Sequence, residues 1–343
     1  MNRHTAQAST TAIDNMATAK APDRTPTTAT TTAQRTTRTT TAATTMVVIV
    51  TYHPEAGTLD LIDACLRQTP HVVVIDNASQ AGNILDAIAG KPAIRFKALN
   101  NNQGLAAAQN EGIRQAEAAG CERVLFFDQD TQLPEGFIAQ MNQVFDQLIA
   151  SGERVGILGP NYFDRNTRED AHYARLTPTG FEDIMLKEGE TAEVSFIISS
   201  GSLMNVSLFK ETGHFRDEFF IDQVDTEFCL RVASHGYKVF ATAEAKIIHT
   251  IGNRSKHRLL FLTIKPNHHS ALRKFFIFRN GVKTMMLYGE RFPGFVKLMS
   301  FRLIHDLLAV LFYERQKWQK LRSIWRGITQ GRKPTSQWTH DPR

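Results

Sequence analysis

Two aspartates separated by one residue, Asp128 and Asp130, directly follow an apolar run at residues 124–127. If that run is a strand, both carboxylates share the loop at its end and can point at one divalent cation. Carboxylate oxygens suit hard cations, which also bind the phosphates of a nucleotide. The spacing is weak evidence by itself, because an aspartate here could equally cap a helix that begins after Thr131.

Polar residues also follow two other segments of the first half. Asp76 and Asn77 come directly after the apolar residues 72–75, where a carboxylate could accept a hydrogen bond from the N3–H of a pyrimidine base or simply form a turn. The turn at residues 100–104 leads into a helix of small residues, 105–110. Small side chains there would let a ligand approach the backbone N–H groups at the start of the helix.

A third group contains three carboxylates within six residues, Asp222, Asp225 and Glu227, at the start of an amphipathic helix. Transfer of a group to a hydroxyl needs a carboxylate as general base within hydrogen-bond reach of the acceptor. The other carboxylates could hold substrate hydroxyls or interact with the positive end of the helix dipole. His249 follows an apolar pair and could be a buried core histidine or complete a metal shell.

Alternating strands and helices must position these residues. Apolar runs predict strands at residues 46–51, 72–75 and 124–127, and a further strand is predicted at residues 93–98. The stretches between them predict helices at residues 58–68, 84–89 and 105–119. This alternation predicts right-handed βαβ units in a doubly wound α/β sheet, where ligands bind at the carboxyl ends of the strands. We therefore expect one crevice to be surrounded by Thr51, Asp76, Asn77, Asn102, Asp128 and Asp130.

The second half of the chain has shorter apolar segments and predicts a mixed sheet with longer loops. Its strands are predicted at residues 155–158, 194–198, 219–221 and 239–241. Beyond residue 265 the sequence is helical and basic, and residues 254–343 contain 19 lysines and arginines against four acidic residues. Aromatic residues between the basic ones predict helices that lie in an anionic lipid interface. The alternative is that one apolar face of these helices packs onto the preceding domain.

Composition limits the remaining classes. The 343 residues allow one large domain with appendages or two domains, and three cysteines at long spacings predict neither a disulfide framework nor a zinc site. No stretch is apolar enough to predict a membrane-spanning helix. The threonine-rich residues 1–45 contain almost no large apolar side chains and predict a disordered leader, with a transit peptide as the alternative.

These motifs together resemble those of family 2 inverting glycosyltransferases of GT-A fold, in particular bacterial rhamnosyltransferases that build cell-surface polysaccharides. The resemblance is carried by residues 48–52, 74–77, 102–112, 126–130, 200–203, 220–231, 249–252 and 273–280. It implies a doubly wound mixed sheet with a Rossmann-like nucleotide-binding half and an acceptor half. The implied domains are a GT-A domain at residues 46–265 and a basic helical region at residues 266–343.

The resemblance also implies roles for individual residues. The nucleotide would be held by Thr51, Asp76, Asn77, Asn102, Gly104 and Asp128, with Asp76 at the base. Mg²⁺ or Mn²⁺ would be bound by Asp128, Asp130 and His249. The catalytic base would be Asp225, and the acceptor side would include Ser200, Gly201, Asp222, Glu227 and Arg231. Phenylalanine stands where the family commonly has Trp or Tyr at positions 228, 275 and 276.

The implied reaction moves L-rhamnose from dTDP-rhamnose to a hydroxyl of a glycan or polyprenyl-linked glycan, with inversion. Other donors, a UDP-hexose or UDP-galactofuranose, remain alternatives. The implied location is the cytoplasm, peripherally on the anionic inner face of the cytoplasmic membrane. No nucleic-acid module is recognisable, so no nucleic-acid partner is expected.

Two other classes are weighed against a transferase. In a haloacid-dehalogenase-like phosphatase Asp128 would be the nucleophile, but that family usually carries the motif on its first strand. In a non-enzymatic membrane adaptor the basic C-terminal region would be the functional part.

Overall fold

The computed structural model of the chain describes residues 43–164, 169–249, 257–259, 262–264 and 266–337. Most of the predicted leader, residues 1–42, therefore lies outside the described residues. The strands are β1 (Thr45–Thr51), β2 (Val72–Asp76), β3 (Arg95–Ala98), β4 (Arg123–Asp128), β5 (Val155–Asp164), β6 (Glu169–Asp170), β7 (Tyr173–Thr177), β8 (Gly180–Ile184), β9 (Thr191–Val194), β10 (Leu203–Asn205), β11 (Lys238–His249), β12 (His257–Leu259) and β13 (Leu262–Ile264). The α-helices are α1 (Gly57–Leu66), α2 (Asn83–Ala89), α3 (Gly104–Ala118), α4 (Phe137–Ala150), α5 (Leu208–Thr212), α6 (Val224–Ser234), α7 (Ala271–Tyr288), α8 (Pro293–Phe312) and α9 (Lys317–Gly331). Short 3₁₀ helices span Asp217–Phe219 and Thr335–Gln337.

Nine of the described strands form one mixed sheet in the order β3-β2-β1-β4-β10-β5-β11-β9, with β6 paired to β5. The strand β1 lies between β2 and β4 and runs parallel to both. The chain thus moves from β1 to β3 on one side and returns to place β4 on the other. This reversal of strand order opens a crevice at the carboxyl ends of β1 and β4, where ligands bind in such sheets.

The sheet is covered on both faces, as the unbroken apolar run of β1 predicts. Successive side chains of a strand point to opposite faces. Met46 and Val48 accordingly pack in a cluster with Ala106 of α3. Val47 and Ile49 pack in a second cluster, which contains residues of α1 and α4.

The predicted α/β architecture is confirmed, and the strands and helices of the first half lie where the sequence placed them. In the second half, β9 ends at Val194, so a strand at residues 194–198 is wrong. A strand at residues 219–221 is also wrong: Phe220 has a φ of 63°, outside the extended region. The carbonyls of Phe219 and Ile221 accept hydrogen bonds from the Asn280 side chain instead of from a neighbouring strand. The strands β6, β7, β8, β10, β12 and β13 were not predicted.

The three C-terminal helices pack together around an apolar cluster that includes Phe278, Phe295 and Ile324, and this cluster reaches Leu230 of α6. A buried ion-pair network also joins them. Lys274 of α7 contacts Asp306 of α8 at 2.5 Å and Glu314 at 3.0 Å, and Glu314 contacts Lys320 of α9 at 2.6 Å. Within the described part of the chain, no helix is long and apolar enough to cross a membrane.

Candidate active site

A cavity of about 1500 Å³ opens at the carboxyl ends of β1 and β4. It is bounded by the start of α3, the loop before α6 and the start of α7. Seven of the residues predicted from the sequence line it: Asn77, Asn102, Gly104, Asp128, Asp130, Asp222 and Asp225. Residues more than 140 positions apart in the sequence are therefore brought to one site.

Thr51 and Asp76 are neighbours in the register of β1 and β2 and are almost completely buried. The Thr51 hydroxyl donates to Asp76 Oδ1 at 2.8 Å. Asp76 also accepts from the backbone N–H of Ser79 at 2.8 Å and from its hydroxyl at 2.6 Å. Thr51 orients Asp76, whose two carboxylate oxygens hold the turn after β2. Neither residue lines the cavity, although the sequence placed both around it.

The start of α3 is fixed by asparagine side chains. Asn77 Nδ2 donates to Asn102 Oδ1 at 3.0 Å, and the N–H groups of Gln103 and Gly104 donate to Asn77 Oδ1 and Asn102 Oδ1. The next N–H, of Leu105, donates to the carbonyl of Phe220 at 2.6 Å. The expectation that these N–H groups are open to a ligand is wrong, because each has a protein acceptor.

Asp128 and Asp130 share the loop after β4, as predicted. The Gln129 side chain between them binds the backbone of Tyr52 through both amide atoms, at 2.8 and 3.2 Å. This contact ties the loop to the end of β1. Asp128 is partly buried and Asp130 is exposed to the cavity.

Ser200 and Gly201 lie behind this loop and do not line the cavity. The Asp128 N–H donates to Ser200 Oγ at 3.2 Å, and Ser200 Oγ lies 2.6 Å from Thr131 Oγ1. Gly201 has a φ of +82°, and a Cβ there would come within 2.4 Å of Pro160. Ser200 therefore supports the Asp128 loop, whereas Gly201 allows the close approach to Pro160.

The carboxylates suit a cation that is shared with a substrate. In the described part of the chain, no three His, Cys, Asp or Glu side chains are grouped to hold a metal ion. Two aspartates on one loop match the usual Mg²⁺ arrangement, in which one or two carboxylates and substrate phosphates complete the shell. His249 ends β11 next to Ile248, whose backbone pairs with Gln132 beyond Asp130; the side chain of His249 lies outside the described part.

Asp225 lies in the first turn of α6 and faces the cavity. Its Oδ1 accepts from the Thr226 N–H at 2.7 Å. Burial raises the pKa of Asp225 to about 6, and the negative charges of Asp128 and Asp222 act in the same direction. A carboxylate with a pKa near neutrality suits proton removal from a hydroxyl.

Glu227 and Arg231 lie behind Asp225 in a buried network. The Glu227 carboxylate accepts from Arg216 Nε at 2.9 Å, from Arg231 Nη2 at 2.7 Å and from the Tyr288 hydroxyl at 2.6 Å. Arg231 also donates to the carbonyls of Thr212 and His214. Glu227 is fully buried and does not line the cavity, so it anchors α6 to its surroundings.

Helix α7 supplies residues that sequence reasoning did not assign to the site. Arg273 pairs with the Asp222 carboxylate through Nε and Nη2, at 3.1 to 3.3 Å. The Asn280 amide binds the backbone of the loop before α6. Residues 273–280 are among the segments that resemble the glycosyltransferase family, which was the only sequence signal for this helix. Arg273 lies more than 50 residues after Asp222, so the sequence does not indicate that the two are in contact.

Residues 46–213 match the profile described as glycosyl transferase family 2. The dTDP-rhamnosyl transferase RfbF of Shigella flexneri is 33% identical over 268 residues, covering 77% of this chain and 87% of that protein. The structure of GalNAc-T7 with UDP, GalNAc and Mn²⁺ is 17% identical with a TM-score of 0.53, covering 77% of this chain and 55% of that one. S. aureus TarS 1-349 in complex with UDP-GlcNAc is 16% identical with a TM-score of 0.53, covering 84% and 81%. This chain thus spans just over half of the GalNAc-T7 structure, and at these identities both likenesses establish the fold, the GT-A fold.

Proposed function

We infer the reaction from the premise that the chain belongs to glycosyl transferase family 2 and is a glycosyltransferase. Because the chain belongs to this family, Asp128 is not the nucleophile of a haloacid-dehalogenase-like phosphatase. We propose that the enzyme transfers L-rhamnose from dTDP-rhamnose to a hydroxyl of a glycan or polyprenyl-linked glycan. The donor is proposed from the 33% identity to a dTDP-rhamnosyl transferase. The observation that carries the site is the convergence of Asp128, Asp130 and Asp225 on one cavity.

In this proposal Asp225 is the general base. Its carboxylate takes the proton of the acceptor hydroxyl as the hydroxyl oxygen attacks the anomeric carbon, and the nucleoside diphosphate leaves from the opposite face. One displacement of this kind inverts the anomeric centre. Asp222, paired with Arg273, lines the same cavity and is placed to hold an acceptor hydroxyl.

Asp128 and Asp130 are proposed to hold Mg²⁺ or Mn²⁺ on the donor side, with His249 as a further ligand. A bound divalent cation offsets the charge that develops on the departing diphosphate. The chain itself fixes the two carboxylates through the Gln129 contact with Tyr52 and through Ser200. Thr51 and Asp76 are proposed to hold the nucleoside, with Asp76 at its nucleobase.

A panel of nucleotide sugars tests this function. We expect dTDP-rhamnose, with Mg²⁺ or Mn²⁺, to release nucleoside diphosphate faster than UDP-glucose, UDP-galactose or UDP-galactofuranose, and to yield a glycosylated acceptor by mass spectrometry. A preference for a UDP-sugar would support a glycosyltransferase that uses a donor other than dTDP-rhamnose. No turnover of any nucleotide sugar would contradict the proposal.

We further propose that the C-terminal helices bind an anionic membrane surface. Large apolar side chains are exposed on α8, at Phe301, Ile304, Leu311 and Phe312, and on α9, where Trp318 is 85% and Trp325 67% exposed. Exposed aromatic rings such as those of Trp318 and Trp325 are favourable at the level of the lipid headgroups.

The charges beside these rings have one sign. The acidic residues between residues 293 and 331 are Asp306 and Glu314, and both are buried against lysines. Arg315, Lys317 and Arg322 are exposed. The exposed charged side chains of α8 and α9 are therefore all cations, and each Lys or Arg near an anionic bilayer contributes about 1 kcal/mol. Leu272 and Arg302 line the cavity, so this surface lies beside the proposed acceptor site.

Co-sedimentation with vesicles that contain an anionic lipid tests the membrane proposal. The double variant Trp318→Ser/Trp325→Ser is preferable to a truncation, because α8 and α9 share a core with α7. We expect the wild type to sediment at low salt and less at high salt, and the double variant to sediment weakly. The control variant Ile149→Ser/Met185→Ser changes exposed apolar residues elsewhere and should behave like the wild type. Equal sedimentation of all three proteins would contradict the proposal that this surface binds the membrane.

A further inference from the structure

The loop between the 3₁₀ helix Asp217–Phe219 and α6 has a strained backbone. Three of its residues that are not glycine, Phe220, Asp222 and Gln223, have a φ of 63°. Phe220 combines this φ with a ψ of −66°, and the Ile221 N–H donates to the Phe219 carbonyl at 2.7 Å. This is the γ-turn of positive φ, which is rare because the Cβ is crowded. Such backbone persists only where the surrounding structure holds it, and it clusters at functional sites.

Helix α3 holds the loop from one side. The Leu105 N–H donates to the Phe220 carbonyl at 2.6 Å, at the start of the helix. Gly104 makes this approach possible, because a Cβ there would lie 2.5 Å from the Phe220 carbonyl oxygen.

Helix α7 holds the loop from the other side, mainly through Asn280. Its side-chain Nδ2 lies 2.8 Å from the carbonyl oxygen of Phe219 and 2.9 Å from those of Ile221 and Asp222. Asn280 is fully buried, so water does not replace these bonds. The ring of Phe276, one turn before Asn280, stacks on the ring of Phe220 with 4.9 Å between centroids.

The end of this loop is the beginning of the helix that carries the proposed base. Gln223 is the residue before α6, and Asp225 is the second residue of α6. Whatever fixes the backbone of residues 219–223 therefore fixes the direction in which Asp225 enters the cavity.

We infer that Asn280 is a positioning residue: by binding three carbonyls of the loop at residues 219–222, it holds Asp225 in the orientation needed for catalysis. The inference rests on the proposed function. It makes α7 part of the transfer site, although this helix lies more than 40 residues beyond the base in the sequence.

Steady-state kinetics of two Asn280 variants tests this role. Asn280→Ala removes the amide, and Asn280→Asp keeps its shape but presents an acceptor to three carbonyls. Thr284→Ala is the matched control, because Thr284 is fully buried one turn later on α7 and bonds only the helix backbone. Thermal unfolding of all variants shows which of them are folded.

We expect both Asn280 variants to lose at least tenfold in kcat while the donor KM changes less than threefold. Thr284→Ala should lose less than threefold in kcat. A normal kcat in Asn280→Ala would overturn the inference. An equal loss of kcat in Thr284→Ala, at a similar melting temperature, would overturn it too, because the effect would then come from general destabilisation of α7.

Variants of Phe220, alone and combined with Asn280→Ala, test the strain of the loop itself. Phe220→Ala and Phe220→Gly both remove the ring, but only glycine adopts a positive φ without strain. We expect Phe220→Gly to melt at a higher temperature than Phe220→Ala, and Phe220→Gly/Asn280→Ala to recover more kcat than Phe220→Ala/Asn280→Ala. An advantage for alanine in both measurements would contradict the inference. If the wild type turns over no nucleotide sugar, the proposed function fails, whereas the melting comparison still reports on the strained loop.

Discussion

Replacing the proposed base with its uncharged counterpart, Asp225→Asn, should stabilise the protein at neutral pH while it abolishes most of the activity. Burial and the nearby charges of Asp128 and Asp222 raise the pKa of Asp225 to about 6. The ordinary value is about 3.9, so the buried charge costs at most ~3 kcal/mol at pH 7. Because Asp225 faces the cavity, solvent reduces this figure, and we expect a gain of about 1–3 kcal/mol.

The sign of the pH dependence follows from the raised pKa. Below about pH 4 the carboxyl is protonated in the folded and the unfolded protein, so Asp225 and an asparagine are nearly equivalent. Between about pH 4 and pH 6 the unfolded state loses its proton first, and the wild type loses stability as the pH rises. The advantage of Asp225→Asn should therefore grow through this window and level off above it.

Urea unfolding between pH 4 and pH 8, in the presence of EDTA, measures this difference. Asp86→Asn changes an exposed carboxylate on α2 and is the control, for which we expect a small difference that varies little with pH. A variant Asp225→Asn that is less stable than the wild type at pH 7, or whose advantage persists at pH 4, would refute the argument from burial.

The same variant tests the catalytic role. We expect transfer to fall about 10²- to 10⁴-fold with little change in donor affinity. In the wild type the base must be unprotonated, and because the pKa of Asp225 is raised we expect the rate to fall as the pH is lowered from 7 to 5. Near-normal transfer by Asp225→Asn would move the role to Asp222, since Glu227 is fully buried and engaged by Arg216, Arg231 and Tyr288.

Three further changes should have distinct outcomes. Asp130→Ala, or EDTA with the wild type, should abolish donor turnover without lowering the melting temperature, and normal turnover in either case would remove the metal from the proposal. Gly104→Ala should lower the free energy of unfolding by about 2 kcal/mol or more, because the methyl group would meet the Phe220 carbonyl at 2.5 Å; chemical denaturation measures this, and a change below 0.5 kcal/mol would contradict it. Tyr288→Phe should lower the free energy of unfolding by about 1–3 kcal/mol, because the buried Glu227 carboxylate loses one of its hydrogen-bond donors. Double-mutant analysis with Glu227→Gln should show that the two changes are not additive.

The nucleotide-binding half could be predicted from the sequence because its signals are local. The strands β1, β2 and β4 are continuous apolar runs, and polar residues at or directly after the ends of β2 and β4 line the cavity. The topology of parallel strands then places Asn77 and Asp128 at one edge of the sheet, with no knowledge of side-chain contacts. For this reason five predicted residues of this half, Asn77, Asn102, Gly104, Asp128 and Asp130, line one cavity in the structure.

The acceptor half was harder to predict because its contacts are tertiary. The apolar residues 219–221 look like a strand, yet the Asn280 amide binds their carbonyls and holds Phe220 at a positive φ. Ser200 and Gly201 were expected beside the acceptor, and the structure places them behind Asp128. No local pattern indicates which distant side chain satisfies a backbone carbonyl.

The sequence by itself determined the type of fold, the edge of the sheet at which the site forms and the carboxylates that could act there, since strand periodicity and residue chemistry are properties of short segments. Only the tertiary structure decided which carboxylates face the cavity. It places Glu227 in a buried network with Arg231 and Tyr288, and Asp225 at the cavity beside Asp128. The physical reason is that the environment of a carboxylate, and hence its pKa and its role, depends on burial and charged neighbours that come from distant parts of the chain.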